Sequence, residues 1–185
     1  MVKMFMLMKH KPTLFIEGDS NLKKGFKQLI SKEIKKKFSI KMGEGKHTTI
    51  RKFKHDKLSS VKFLLIDLDG AESKKPNDIT ANSLTEFSER SFYMIQKMEG
   101  WFLSQPEKLD SHWQISSFSS IQKHGKEFPD PDNWIDEQLK KYGKRYHKTR
   151  DPIDILANLD IERLKSDFEE VKELVDSMHE QLRKQ

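Results

Sequence analysis

Three carboxylates stand where short apolar runs end. Thr13-Leu14-Phe15-Ile16 is a β-favouring run that stops at Glu17-Gly18-Asp19-Ser20, and Val61-Lys62-Phe63-Leu64-Leu65-Ile66, the best buried-strand candidate, ends at Asp67-Leu68-Asp69-Gly70. In a parallel sheet both ends fall on the carboxyl edge, where α/β proteins bind ligands, so Glu17, Asp67 and Asp69 are expected to converge. Asp67 and Asp69 are two apart, and an extended chain projects both to one face. Two such charges about 4 Å apart repel by roughly 4 kcal/mol at an effective dielectric near 20, which a cation or a proton must relieve. An all-oxygen donor set with room for water suits Mg²⁺ (or Mn²⁺), and such an ion beside a basic groove is equipment for attack on a phosphodiester. Taken singly, each acid also reads as a turn former or helix cap.

The basic groove is visible in the charge distribution. The chain has 35 Lys and Arg against 29 Asp and Glu, a net +6, but Lys23 to Lys57 alone holds 13 basic and 3 acidic residues. Lys23, Lys24 and Lys27 open that stretch. A second cluster, Lys140, Lys141, Lys144, Arg145 and Lys148, with Arg150 beyond it, runs beside Tyr142 and Tyr146. Lysines interleaved with aromatic rings suit a nucleic acid, DNA or RNA, although a Lys-rich helix face in water is the plainer alternative. From Asp151 to Gln185 the balance reverses to 10 acidic and 5 basic residues.

The elements that must position these residues alternate. After the first strand, Leu22, Phe26, Leu29, Ile30, Ile34 and Phe38 recur with helical spacing; Thr48–Phe53 reads as a second strand, a helix is expected near Ile79–Ser88, and Ser91–Gln96 reads as a fourth strand. This predicts an α/β fold, a mostly parallel sheet flanked by helices, over residues 1–98. Residues 99–185 read as a mainly helical extension of the same single domain, with a short helix from Met98 and another over about Asp132–Tyr142. From Asp160, Ile161, Leu164, Phe168, Val171, Val175, Met178 and Leu182 follow at spacings 3, 4, 3, 4, 3, 4, a heptad seam on one long amphipathic helix. That seam packs on its own domain or, alternatively, on a partner or second copy. Trp101, Phe102 and Trp134 read as core aromatics.

Composition excludes several classes. With no Cys there is no disulfide framework, thiolate zinc site, iron–sulfur cluster or cysteine nucleophile. Mean hydropathy is -0.80 and the longest apolar run is Phe63–Ile66, too short to span a bilayer. The apolar opening, residues 1–8, is too short for a signal-peptide core, so a cytoplasmic protein is expected. Gly43-Glu44-Gly45-Lys46-His47 fails as a phosphate loop, because Ile40 and His47 occupy the required Gly and Ser/Thr places. The seven His show no close ligand spacing, which leaves zinc chemistry without support.

The order strand, Glu17-Gly18, helix, buried strand, Asp67-Leu68-Asp69 resembles the topoisomerase-primase (TOPRIM) domain. More narrowly, Met98-Glu99-Gly100-Trp101-Phe102-Leu103, Tyr146-His147-Lys148 and the segment from Asp151-Pro152 onward resemble small stand-alone TOPRIM-like proteins of uncharacterised function. The resemblance implies Mg²⁺-dependent phosphodiester chemistry, with Glu17 as general acid/base or metal ligand and Asp67 and Asp69 holding the metal. It also implies kinship with the nuclease module of OLD-family proteins, which works beside an ABC-type ATPase, commonly in anti-phage systems. A stand-alone version would need that ATPase as a separate subunit. TOPRIM sites often carry a third acid two residues past Asp-x-Asp, where this chain has Ala71. Glu72 or Glu99 substitutes, the site binds one metal, or it is degenerate. Lys148 is expected to steady a phosphate or the leaving oxygen.

Two other readings compete. Leu64-Leu65-Ile66-Asp67-Leu68-Asp69-Gly70 also resembles the opening motif of haloacid-dehalogenase-type phosphatases, but Ala71 stands where Thr or Val is required and Glu17 is left without a role. An incomplete acid set would instead suit a non-catalytic adaptor that binds nucleic acid or regulates an ATPase.

Overall fold

A computed structural model describes residues 11–34 and 37–184. The reading of the apolar opening falls on residues 1–10, outside the described residues, as do Lys35 and Lys36 of the basic stretch. Four parallel strands, β1 (Thr13–Glu17), β2 (Ser39–Gly43), β3 (Lys62–Asp67) and β4 (Ser91–Met94), form one sheet in the order β2-β1-β3-β4. The crossovers carry α1 (Lys23–Ile34), α2 (Lys46–His55) and α3 (Lys75–Ala81). Leu14 to Ile16 and Phe63 to Ile66 are buried throughout, as unbroken apolar runs must be when helices cover both faces. Each such side chain contributes about 1.5–3 kcal/mol by leaving water.

Residues 99–184 are mainly helical, as expected, with α4 (Glu99–Leu103), α5 (Pro106–Trp113), α6 (Pro131–Lys140), α7 (Asp151–Asn158), α8 (Ile161–Asp167) and α9 (Glu169–Arg183) joined by turns and loops. They do not hang off the sheet. α7 lies along α1, so close at Gly25 that a β-carbon there would come within 2.7 Å of the Ile153 carbonyl oxygen, while α9 packs on β4 and α1. Trp101 and Phe102 are buried, and Trp134 is half-buried between Phe118 and Phe128.

The structure corrects four expectations. The helix expected near Ile79–Ser88 is Lys75–Ala81, followed by a 3-10 segment over Thr85–Arg90. Residues Thr48–Phe53 are helical, not a strand. Thr49, Ile50 and Phe53 face inward with helical spacing, and the Thr49 hydroxyl donates within 3.0 Å of the Gly43 carbonyl, tying α2 to the end of β2. Tertiary packing here overrides the β preference of three β-branched residues in a row. The outer strand beside β1 is instead Ser39–Gly43, directly after Phe38, the last residue of the helical spacing. The long C-terminal helix is two helices, broken at Phe168, whose backbone is extended (φ -129, ψ 108) and whose ring is buried. The seam residues nevertheless face inward, and Leu182 alone of them is partly exposed, so the apolar stripe is spent inside the chain.

α9 also reaches the edge of the sheet. The backbone N–H of Tyr93 donates to Glu170 Oε2 at 3.0 Å, and the other oxygen of this buried carboxylate takes the Lys75 ammonium. The Ser91 N–H is bonded to the Ser88 carbonyl.

Candidate active site

β1 and β3 are neighbours in the sheet, although β2 lies between them in sequence. The chain steps outward on one side of β1 to make β2 and then crosses back to make β3 and β4. The carboxyl ends of β1 and β3 are therefore the switch point where open α/β sheets form their binding crevice. Glu17 ends β1 and Asp67 ends β3. Gly18 follows with φ 132, a conformation glycine reaches without strain, and the chain turns into the segment that Asp19 caps by accepting from the Asn21 N–H at 2.8 Å.

Glu17 and Asp67 meet as expected. Glu17 Oε2 accepts the backbone N–H of Asp67 at 3.1 Å, and Asp67 Oδ1 accepts that of Met98 at 2.9 Å. Both open into a cavity of about 380 Å³ also lined by Asp19, Glu44, Glu99 and Lys148. Glu99, the first residue of α4, is buried, and its Oε1 accepts the hydroxyl proton of Tyr146 at 2.8 Å. Burial raises the pKa of Asp67 well above the usual carboxylate range, and the charges of Glu17, Glu99 and Asp69 add to it. Burial also raises Glu17, against the backbone hydrogen bond from Asp67, and it raises Glu99, against the bond from Tyr146.

Asp69 stands apart. It takes the left-handed conformation (φ 57), which an Asp tolerates, is exposed at the rim, and contacts the Lys46 ammonium at 3.4 Å. Lys46, the first residue of α2, makes a shorter pair with Asp78 at 2.8 Å. Among the described residues no three His, Asp or Glu side chains stand together as a ready metal-holding group. The donor chemistry still suits a hard cation. Glu17 and Asp67 each keep one carboxylate oxygen beyond the bonds given above, and Mg²⁺ commonly takes one or two carboxylates and fills the rest of its shell with water and phosphate oxygens.

The other expected residues divide. Of the two candidates for a third acid, Glu99 lines the cavity, whereas Glu72 is exposed on the turn before α3 and does not. Lys148 lines the cavity and pairs with buried Asp132, which also takes Lys97 at 2.8 Å; burial opposes the Asp132 charge, but the two lysines outweigh it and hold its pKa low. Lys23, Lys24 and Lys27 are exposed on α1 beyond the cavity, and Lys23 and Lys27 border a separate groove floored by Ile30, Ile34 and Phe38. Lys140 pairs with Asp136, Lys141 with the Gln138 amide oxygen and Lys144 with the Trp113 carbonyl; Arg145 is exposed. Of that second cluster only Lys148 reaches the cavity. Tyr146 is buried against Glu99 and is not a surface ring for base stacking; Tyr142 is exposed.

Sequence reasoning missed Lys46 and Asp132. No local signal marks either, because their partners come from other elements. No helix among the described residues is long and apolar enough to cross a membrane. No curated protein and no solved structure matches the chain. Residues 19–179 match the family described as Domain of unknown function (DUF4276), and the chain belongs to that family.

Proposed function

We propose that this protein is a divalent-metal-dependent nuclease of TOPRIM type that hydrolyses nucleic-acid phosphodiesters. The observation that carries this reading is the pair Glu17 and Asp67, set side by side at the switch point and opening into a cavity with Glu99 and Lys148. Asp67 would hold Mg²⁺ or Mn²⁺ through its second oxygen, with Asp69 within reach at the rim. The ion supplies Lewis-acid polarisation of a phosphoryl oxygen. Glu17, its proton affinity raised by burial, accepts a proton from the attacking water through its free oxygen as the new P–O bond forms and the bond to the leaving oxygen breaks, that oxygen taking its proton from solvent, and Lys148, which lines the same cavity, meets the phosphate. The resemblance to OLD-family modules extends the proposal to an ABC/OLD-type ATPase partner and an anti-phage role.

A second reading, a non-catalytic adaptor of such an ATPase, draws on one observation: Glu17, Asp67 and Asp69 each already have an oxygen engaged, by the Asp67 N–H, the Met98 N–H and Lys46. Thermal unfolding with and without about 10 mM Mg²⁺ or Mn²⁺ separates the two. A site with a Kd of about 1 mM gives roughly 1.4 kcal/mol, or about 3–6 °C at this chain length. The nuclease reading expects that shift in the wild type and its loss in an Asp67→Asn, Asp69→Asn double variant. No shift in either protein refutes it.

A further inference from the structure

Of the two lysines beside the acid cluster, Lys148 pairs with Asp132, outside the set, whereas Lys46 is shared between Asp69, one of the expected acids, and Asp78. The two halves of that shared bond are unequal. The contact to Asp78 is 2.8 Å, with 17% of the Asp78 side chain exposed; the contact to Asp69 is 3.4 Å, with 55% exposed. Only 16% of the Lys46 side chain is exposed, and its ammonium lies against these two carboxylates. Its charge is also felt at Glu17, where it lowers the pKa against the pull of burial. Lys46 follows directly on Glu44 and Gly45, which line the cavity, so its position is fixed at the mouth.

We propose that Lys46 is the internal counter-ion of this acid cluster, and that a divalent metal takes Asp69 from it, leaving the ammonium anchored on Asp78 and free to meet the phosphate of the substrate. This rests on the metal reading above. An ammonium and a divalent cation cannot share Asp69 without strong repulsion, and the longer, wetter contact is the one that yields. Lys46 thereby ties substrate contact to metal loading: while Asp69 holds it, the lysine is withheld from the phosphate.

The test uses Mn²⁺ alone as the probe, with two readouts on the full chain. By isothermal titration, Lys46→Gln is expected to bind Mn²⁺ more tightly than wild type by about ten-fold or more, the scale of one unit charge removed from a few ångströms of a divalent ion at the dielectric of water. Lys46→Arg, which keeps the charge, is expected to bind no more tightly than wild type. By competitive acylation with acetic anhydride and mass spectrometry, Lys46 should become more reactive when Mn²⁺ is added, while Lys52 of the same helix, bonded to the Met42 carbonyl, stays constant. Mn²⁺ binding to wild type with unchanged or reduced Lys46 labelling, or equal affinity in Lys46→Gln, overturns the counter-ion proposal and leaves the metal site standing. Absence of Mn²⁺ binding in both wild type and Lys46→Gln overturns the two together.

Discussion

Asp67 should cost the protein stability whenever it is charged and no metal is bound. Its folded pKa lies well above the ordinary Asp value of 3.8, first from burial and then from Glu17, Glu99 and Asp69. For an acid shifted upward, the folded chain holds the proton more tightly than the unfolded chain. Stability is therefore greatest at and below pH 4 as far as this group is concerned, and falls as pH rises toward the folded pKa. Two carboxylate charges a few ångströms apart, at an effective dielectric between 20 and 80, repel by roughly 1–3 kcal/mol, and Glu17 and Asp67 are such a pair. Asp67→Asn keeps an acceptor for the Met98 N–H and removes the charge. In EDTA at pH 8 it should melt roughly 3–10 °C above wild type, at about 2–4 °C per kcal/mol for a chain of this size. The gain should shrink steadily toward pH 4, followed by circular dichroism across the range. Saturating Mn²⁺ should reverse the order by stabilising wild type alone. If Asp67→Asn is less stable than wild type at pH 8, or its advantage is independent of pH, the reasoning from buried, mutually repelling carboxylates is refuted.

Glu17→Gln removes the same repulsion, so in EDTA at pH 8 it should fold and melt above wild type, and it should abolish Mn²⁺-dependent cleavage of labelled DNA or RNA measured with the ATPase present; wild-type cleavage by the variant removes Glu17 from the mechanism. Asp132→Asn removes the shared partner of Lys97 and Lys148, and because Lys148 lies largely in water and Lys97 keeps Asp130 it should cost only about 1–2 kcal/mol in urea unfolding at pH 7. Because the Asp132 pKa is held low, that cost should fade as pH drops below the ordinary Asp range. Gly25→Ala drives a methyl against the Ile153 carbonyl and should lose about 1–3 kcal/mol by the same assay; an unchanged midpoint means α1 and α7 can separate freely.

The acid pair was legible because strand ends are marked twice in the sequence, once by an apolar run and again by the charged residue that stops it. β1, β3 and β4 were read that way, and Glu17 and Asp67 came with them. Residues of α2 read as a strand because Thr48, Thr49 and Ile50 favour strands locally, while the reason they form a helix, the seat of Thr49 against Gly43, exists only after folding. The break at Phe168 escaped because a heptad pattern persists through it: the ring stays inward whether the backbone is helical or extended. The partners of the site residues were beyond reach for a different cause. Tyr146 bonds Glu99 from 47 residues away and Lys46 reaches Asp69 across 23, and no periodicity carries such pairings.

The bond from Tyr93 to Glu170 bears on how the chain survives its own synthesis. β4 is an outer strand, and a row of free N–H groups along such an edge invites another chain to add a strand. Here the Ser91 N–H is turned onto Ser88 and the Tyr93 N–H is held by a carboxylate on α9, the last helix of the described residues. Until α9 has emerged and docked, that second guard is missing and β4 is open to intermolecular pairing. Loss of α9 by proteolysis or truncation would thus be felt as aggregation along β4, even though it removes no residue that lines the cavity.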